Sequence, residues 1–181
     1  MIKVLNSFCS GLIIFSVVTI NLNASPALAQ RAGVESKVAA LLSRTCKGSG
    51  SNRRWNNRDY REVTIGRRLY TTRASILAGS IGKPSQVVCK VNSKGNKKGF
   101  GTLRLTFGLA DNSVNVPTQV RFYLNGNSTT SYTMRKGDLR TVLLDVSSAE
   151  DIAIEVEEAV PNYGIGSPMI YIFEDVLEPL N

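Results

Sequence analysis

Gly99-Phe-Gly-Thr-Leu-Arg-Leu-Thr-Phe-Gly-Leu-Ala-Asp-Asn-Ser113 is the stretch on which the fold turns. Leu103, Leu105, Phe107 and Leu109 fall on one side of an extended chain, and Thr102, Arg104, Thr106 and Gly108 on the other. Alternation sustained this long predicts a β-strand packed on one face and open on the other. Asp111-Asn112-Ser113 stops it, because short polar side chains bond to their own backbone and turn the chain. Asp111 and Asn112 also offer oxygens to a structural Ca²⁺, but no EF-hand spacing surrounds them, and their chemistry favours the turn.

Outward from this strand the period of two recurs. Val63 and Ile65 alternate with Glu62 and Thr64, Val87, Cys89 and Val91 share a face, and Val120, Phe122 and Leu124 alternate with Arg121 and Tyr123. Asn125-Gly126 is a hairpin signal, since both residues tolerate positive φ, and Tyr132 and Met134 lie on the return strand. Residues 139–146 and 152–156 read as strands about a turn at 147–150, 169–173 as a buried terminal strand, and 94–98 as a basic turn. Short strands joined by turns, with no helices between them, predict an all-β antiparallel sandwich. Upstream, Val34, Val38, Leu41 and Leu42 recur at helical spacing, which predicts an N-terminal amphipathic helix over 33–45 capping one end of the sandwich. A surface loop rich in Gly, Ser and Asn follows over 47–59.

The first 29 residues read as a signal peptide. Lys3 begins it, Leu12 and Ile20 bound its apolar core, and Ala27-Leu28-Ala29 forms a small-residue exit before Gln30. The expected organisation is a signal peptide over 1–29, a helix and basic loop over 30–59, and the sandwich over 60–181, in a secreted or periplasmic protein. Cys9 leaves with the leader, so Cys46 and Cys89 remain, 43 residues apart. In an exported chain such a pair suggests one disulfide; two buried thiols are the alternative.

The formal charge of +8 is unevenly placed. From Arg31 to Arg104 there are 17 Lys and Arg against 3 acids, and beyond Arg104 there are 4 against 11. If the halves interleave, much of this becomes cross-strand pairing, and only the basic surplus is left for anionic partners. No histidine occurs, which removes the commonest general base and metal ligand, and two cysteines cannot form a zinc site. There is no Gly-x-Ser-x-Gly elbow and no phosphate loop. Carboxylates remain as catalytic candidates, namely Glu155, Glu157, Glu158, Glu174 and Asp175, and strand positions paired with the Arg-rich half explain them more simply. The sequence therefore predicts no catalytic residues, no metal and no cofactor.

Trp55 is the only tryptophan, set among Arg53, Arg54, Asn56, Asn57, Arg58 and Tyr60. An aromatic face with amide and guanidinium donors suits sugar rings or nucleobases. The same Trp55 could instead plug the sandwich edge beneath the helix. Candidate ligand-contacting residues are Trp55, Arg58, Tyr60, Arg73, Asn112 and Tyr163.

Taken together, the segments from 60 to 177 resemble the NPCBM/NEW2 family of carbohydrate-binding modules. Val63-Thr-Ile-Gly-Arg-Arg-Leu-Tyr70 is similar to the family's opening strand and its tyrosine, and Ala78-Gly79-Ser80 continues the likeness. Phe100 to Asn112, with Gly108-Leu-Ala-Asp111, resembles its alternating strand and Gly-x-x-Asp turn. Val120-Arg-Phe-Tyr-Leu-Asn-Gly126, Leu143-Leu-Asp-Val146 and Ile152-Ala-Ile-Glu-Val156 resemble later strands. The resemblance implies a galactose-binding-like jelly roll and glycan recognition. It departs at Leu77, where His is typical, and around Ile165-Gly-Ser-Pro-Met-Ile-Tyr171, where the family has Asp-His-x-x-Trp, so no binding residue carries over.

The expected function is a non-catalytic exported carbohydrate-binding module for glycans or polysaccharides, anionic ones suiting the basic half. The alternative is a basic exported protein that docks to a protein, nucleic acid or anionic membrane surface. A hydrolase using two carboxylates ranks third.

Overall fold

The computed structural model describes residues 38–49, 55–93, 99–161 and 166–180. In chain order the strands are β1 (Ala39–Ala40), β2 (Cys46–Ser49), β3 (Trp55–Asn56), β4 (Glu62–Ile65), β5 (Arg68–Thr71), β6 (Ala74–Leu77) and β7 (Ser85–Lys90). They continue with β8 (Phe100–Leu109), β9 (Thr118–Leu124), β10 (Asn127–Met134), β11 (Leu139–Asp145), β12 (Asp151–Glu158) and β13 (Met169–Pro179). One sheet runs β11-β8-β13-β6-β3, with β1 also on β13; the other runs β10-β9-β12-β7-β2; β4 and β5 form a separate hairpin. All the strand pairings described are antiparallel.

The alternation of β8 explains its place. Leu103, Leu105, Phe107 and Leu109 are buried, and they meet Val120 and Phe122 of β9 and Ile152, Ile154 and Val156 of β12 within one core. Phe107 and Phe122 lie 5.5 Å apart at their ring centroids, with Tyr132 at 6.0 and 6.3 Å, so an aromatic trio fills the middle of the sandwich. Asn125 (φ 50) and Gly126 (φ 79) make the expected hairpin turn between β9 and β10. The terminal strand is longer than 169–173: β13 reaches Pro179 and pairs with β8 along most of its length.

The outer face of β8 is less open than its sequence predicts. Thr102, Arg104 and Thr106 are half-buried, but Gly108 is covered by the β4–β5 hairpin. A Cβ at Gly108 would stand 2.7 Å from Ile65 Cδ1 and 2.7 Å from the Asp138 carbonyl oxygen. Val63, Ile65 and Ala110 form a second small core there, backed by Tyr70, Leu139, Tyr171 and Phe173.

The predicted helix is corrected over its described part. Residues 38–45 hold β1, a single 3-10 turn at Leu41–Ser43 and the approach to β2. Leu41 is fully buried, but Ala39 and Ala40 pair with Leu177 and Val176 of β13, and Cys46 pairs with Cys89 of β7. Backbone pairing at both ends of so short a segment leaves no room for helical turns, and β1 to β3 join the sheets ahead of residue 60. Residues 33–37, the signal peptide over 1–29 and the basic turn over 94–98 lie outside the described residues. Among the described residues no helix is long and apolar enough to cross a membrane.

Cys46 and Cys89 form a disulfide across register-paired positions, with Cα atoms 4.0 Å apart. Interleaving of the charged halves is visible too. Lys90 pairs with Asp151 (3.4 Å), Arg73 with Asp175 (2.5 Å), and Arg104 with Glu174 and Glu178 (3.1 and 3.5 Å).

Candidate functional site

Along one side, β13 has β8; along the other it has β6 at residues 169–172 and β1 at 176–177. Between those partners the register shifts at Ile172/Glu174, and the interrupted edge leaves a notch. A cleft of about 490 Å³ lies there, lined by Leu42, Arg44, Asn57, Arg58, Tyr60, Arg73 and Asp175 among others.

Asp175 anchors the cleft. Its carboxylate is fully buried, and Leu42 N–H donates to Oδ2 at 2.7 Å while Arg73 Nη1 donates to Oδ1 at 2.5 Å. A buried carboxylate holds its charge only with such partners, so Asp175 ties the turn after β1 to the start of β6. Arg44 also lines the cleft, with its guanidinium 5.4 Å from the Phe100 ring centroid and Nη2 donating to the Val91 carbonyl at 3.3 Å.

The strip over 57–61 is held by Asp59. Its N–H donates to the Arg73 carbonyl at 3.1 Å, its carbonyl accepts from the Thr72 hydroxyl and the Arg61 N–H, and its carboxylate accepts from Arg61 Nε at 2.5 Å. That last bond, reinforced by Tyr171, pushes the Arg61 guanidinium above its ordinary pKa. Asp59 Oδ2 is buried with no hydrogen-bond partner among the described residues. Tyr60, next along the strip, is 73% exposed, so its ring face is free to stack.

Three of the residues predicted from sequence, Arg58, Tyr60 and Arg73, therefore converge on the cleft. Trp55 does not line it. It is half-buried on β3, packed against the main core, and a Cβ at Gly48 of β2 would lie 3.0 Å from Trp55 Cβ. The indole thus closes the flank where β2 meets β3, in the position of a plug. Asn112 is exposed in the turn after β8 and does not line the cleft. Its neighbour Asp111 accepts the Gly66 and Arg67 N–H groups at 2.9 and 3.0 Å and so holds the tip of the β4–β5 hairpin, where both residues have positive φ. Tyr163 lies outside the described residues.

Leu42, Arg44 and Asp175 were not among the sequence-predicted ligand contacts. No local pattern marks them, because they meet only through the β1–β13 pairing and the β13 register shift. The acidic candidates are committed to neighbours. Glu155 accepts from Gln86 Nε2 at 3.0 Å, and Glu157 accepts from the Gly82 N–H and pairs with Arg121 at 2.7 Å. Glu174 accepts from Thr106 Oγ1 at 3.0 Å and pairs with Arg104. Burial and the hydrogen bond to Glu155 push the Tyr123 phenol above its ordinary pKa, while the Ser147 hydroxyl and N–H hold the exposed Asp145 carboxyl below its own. Among the described residues no group of three or more His, Cys, Asp and Glu could hold a metal ion.

No family model matches the chain, and no curated protein sequence matches it. Solved structures do. A CBM51 from Clostridium perfringens GH95, in complex with methyl-galactose, is 9% identical over 78% of this chain and 99% of its own, with a TM-score of 0.60. CBM51-2 with INT domains from Clostridium perfringens ZmpB, in complex with GlcNAc, is 12% identical over 79% of this chain and 32% of its own (TM-score 0.60). The ZmpB M60 catalytic domain with CBM51-1 and CBM51-2 is 13% identical over 81% of this chain and 16% of its own (TM-score 0.62). The chain spans about a third or less of the ZmpB structures it matches. At these identities the likeness is one of fold, the antiparallel β-sandwich.

Proposed function

We propose that this chain is a non-catalytic, exported carbohydrate-binding module of the NPCBM/NEW2 type, and that its ligand occupies the cleft beside β13. The observation that carries this reading is the convergence of an exposed aromatic residue, Tyr60, with three arginines, Arg44, Arg58 and Arg73, in the lining of one cleft. Tyr60 supplies a stacking face, Asn57 and Arg58 supply donors for hydroxyl oxygens, and Arg73 presents the part of its guanidinium that Asp175 does not engage. Three cations against one fully buried carboxylate favour glycans that carry carboxylate or sulfate groups. The sandwich shared with modules solved with methyl-galactose and with GlcNAc supports the same reading. The disulfide supports export, as does the leader predicted over 1–29.

A glycan array holding neutral and acidic polysaccharides, probed with folded protein and with its Tyr60→Ala and Arg58→Ala variants, tests the proposal. The expected result is binding to acidic glycans that falls by about tenfold or more in each variant, the loss of roughly 1.4 kcal/mol of contact. The reading fails if no glycan binds at millimolar concentration, or if both variants bind as the parent does.

A further inference from the structure

We propose that one end of the sandwich docks onto an anionic lipid surface, independently of the cleft. Strand register fixes which segments share that end. Met134 of β10 pairs with Thr118 of β9, Thr118 pairs with Glu158 of β12, and the Glu158 N–H donates to the Gly79 carbonyl at 2.8 Å. At roughly 4.8 Å per strand this row is about 14 Å across. The chain running past it carries Arg135, Val160 and the turn over 80–83. The turn over 135–138 then crosses to the other sheet, where the Gly137 N–H donates to the Leu109 carbonyl at 2.8 Å. A Cβ at Gly66 would stand 3.6 Å from the Gly137 carbonyl oxygen, so the tip of the β4–β5 hairpin joins the same end.

Five cations stand there: Arg67, Arg68, Lys83, Arg135 and Lys136. All are exposed, and among the described residues none has a salt bridge and none lines the cleft. The acids of this end are engaged elsewhere. Asp111 accepts the Gly66 and Arg67 N–H groups, Asp138 Oδ2 accepts the Arg135 N–H at 2.8 Å, Glu157 pairs with Arg121 at 2.7 Å, and Glu158 is buried. Solvent therefore meets a predominantly positive surface.

The turn over 80–83 adds an apolar contact to that charge. The Lys83 N–H donates to the Ser80 carbonyl at 2.9 Å and Gly82 has φ 74, which places Ile81 and Gly82 at the corners of a tight turn. Glu157 accepts the Gly82 N–H and so fastens the turn to β12. Turn corners ordinarily carry Gly, Pro or short polar residues. Here Ile81 is 51% exposed, and Val160, two residues past β12, is 43% exposed.

This combination identifies the occupant. Affinity for a lipid surface adds buried apolar area to attraction between cations and anionic headgroups, so aliphatic side chains held among arginines and lysines suit it. Nucleic acids and sugars reward aromatic rings instead. Among the described residues the exposed aromatic is Tyr60, which lines the cleft.

Co-sedimentation of the disulfide-bonded chain with vesicles of phosphatidylcholine, alone or with about one-third phosphatidylglycerol, tests the assignment. The expected result is binding to the anionic vesicles only. Arg67→Asn/Arg68→Gln should weaken it by about tenfold or more, Asn being chosen because residue 67 has φ 67. Ile81→Ser should weaken it by about tenfold, with circular dichroism reporting the parent's fold for both variants. Ile81→Trp should move its emission to the blue on anionic vesicles and not on a single-stranded oligonucleotide. Tyr60→Ala should bind the vesicles as the parent does. Absence of binding to anionic vesicles overturns the proposal. So does an Ile81→Ser variant that binds as tightly as the parent, or an unshifted Ile81→Trp emission, since either reduces the end to a site for polyanions at large. Loss of vesicle binding in Tyr60→Ala overturns it by assigning the lipid contact to the cleft.

Discussion

Asp175 is a residue whose sequence neighbourhood says little and whose surroundings say much. In sequence it is one acid beside Glu174 near the end of a predicted strand; in the fold the two follow the β13 register shift and, as successive strand residues, face opposite sides of the sheet. Glu174 turns outward to Arg104 and Thr106, whereas Asp175 is fully enclosed with Arg73 and the Leu42 N–H. Breaking a buried pair costs several kcal/mol when the surviving charge stays buried, but Arg73 is half exposed and recovers hydration. Asp175→Ala should therefore destabilise the fold by about 2 kcal/mol. Asp175→Asn should cost less, since the amide oxygen still accepts from Leu42. Urea unfolding of the two variants checks the order; equal stability of the Ala variant and the parent would show that the notch is held by other contacts.

At the scale of elements, the disulfide governs how the N-terminal segment is deployed. Cys46 faces Cys89 across β2 and β7, and the cleft residues Leu42, Ser43 and Arg44 lie just upstream of it. Closing a loop with a sequence separation of 43 restricts the unfolded chain by about 4 kcal/mol in the chain-entropy account. A Cys46→Ser/Cys89→Ser variant should lose about 3–4 kcal/mol of stability. It should also lose cleft binding at temperatures where the sandwich is still folded, because β2 frays first; calorimetry and binding measured side by side check this. Binding that persists undiminished would mean the 41–44 wall is held by Leu41 burial and β1 pairing alone. The misreading of this segment as a helix has the same origin. Val38, Leu41 and Leu42 have helical spacing, yet in β1 and the 3-10 turn Leu41 is buried, Leu42 half-buried and Val38 exposed. Strands such as β8, β9 and β12 were legible because their period is local and their burial follows it.

At the scale of the whole molecule, the asymmetry of charge along the chain becomes ion pairing in space, with a basic remainder. Lys90–Asp151, Arg73–Asp175 and the Arg104 pairs join cations of the first part to acids of the second, leaving Arg58, Arg67 and Arg68 exposed without a salt bridge among the described residues. Screening separates this remainder from sugar stacking, since salt weakens attraction between exposed charges and has little effect on ring contacts. Affinity for an acidic glycan should fall severalfold, about 1 kcal/mol, between low and moderate ionic strength, then level off at a residue set by Tyr60. Isothermal titration across a salt series reads both regimes. A loss that continues without levelling favours plain docking of a basic surface to polyanions, and so favours a protein, nucleic-acid or membrane partner over a glycan.

The amino-acid sequence by itself determined the all-β sandwich, the β8 core face, the Asn125-Gly126 hairpin, the Asp111 turn and the membership of Arg58, Tyr60 and Arg73 in the candidate set. Each depends on periodicity or on chemistry carried by neighbouring residues. Only the tertiary structure decided that Trp55 packs against Gly48, that Gly108 is roofed by Ile65, and that Asp175 meets Leu42 and Arg73. Those contacts join residues remote in sequence through strand order and one register shift, and neither is encoded in any local pattern of side chains.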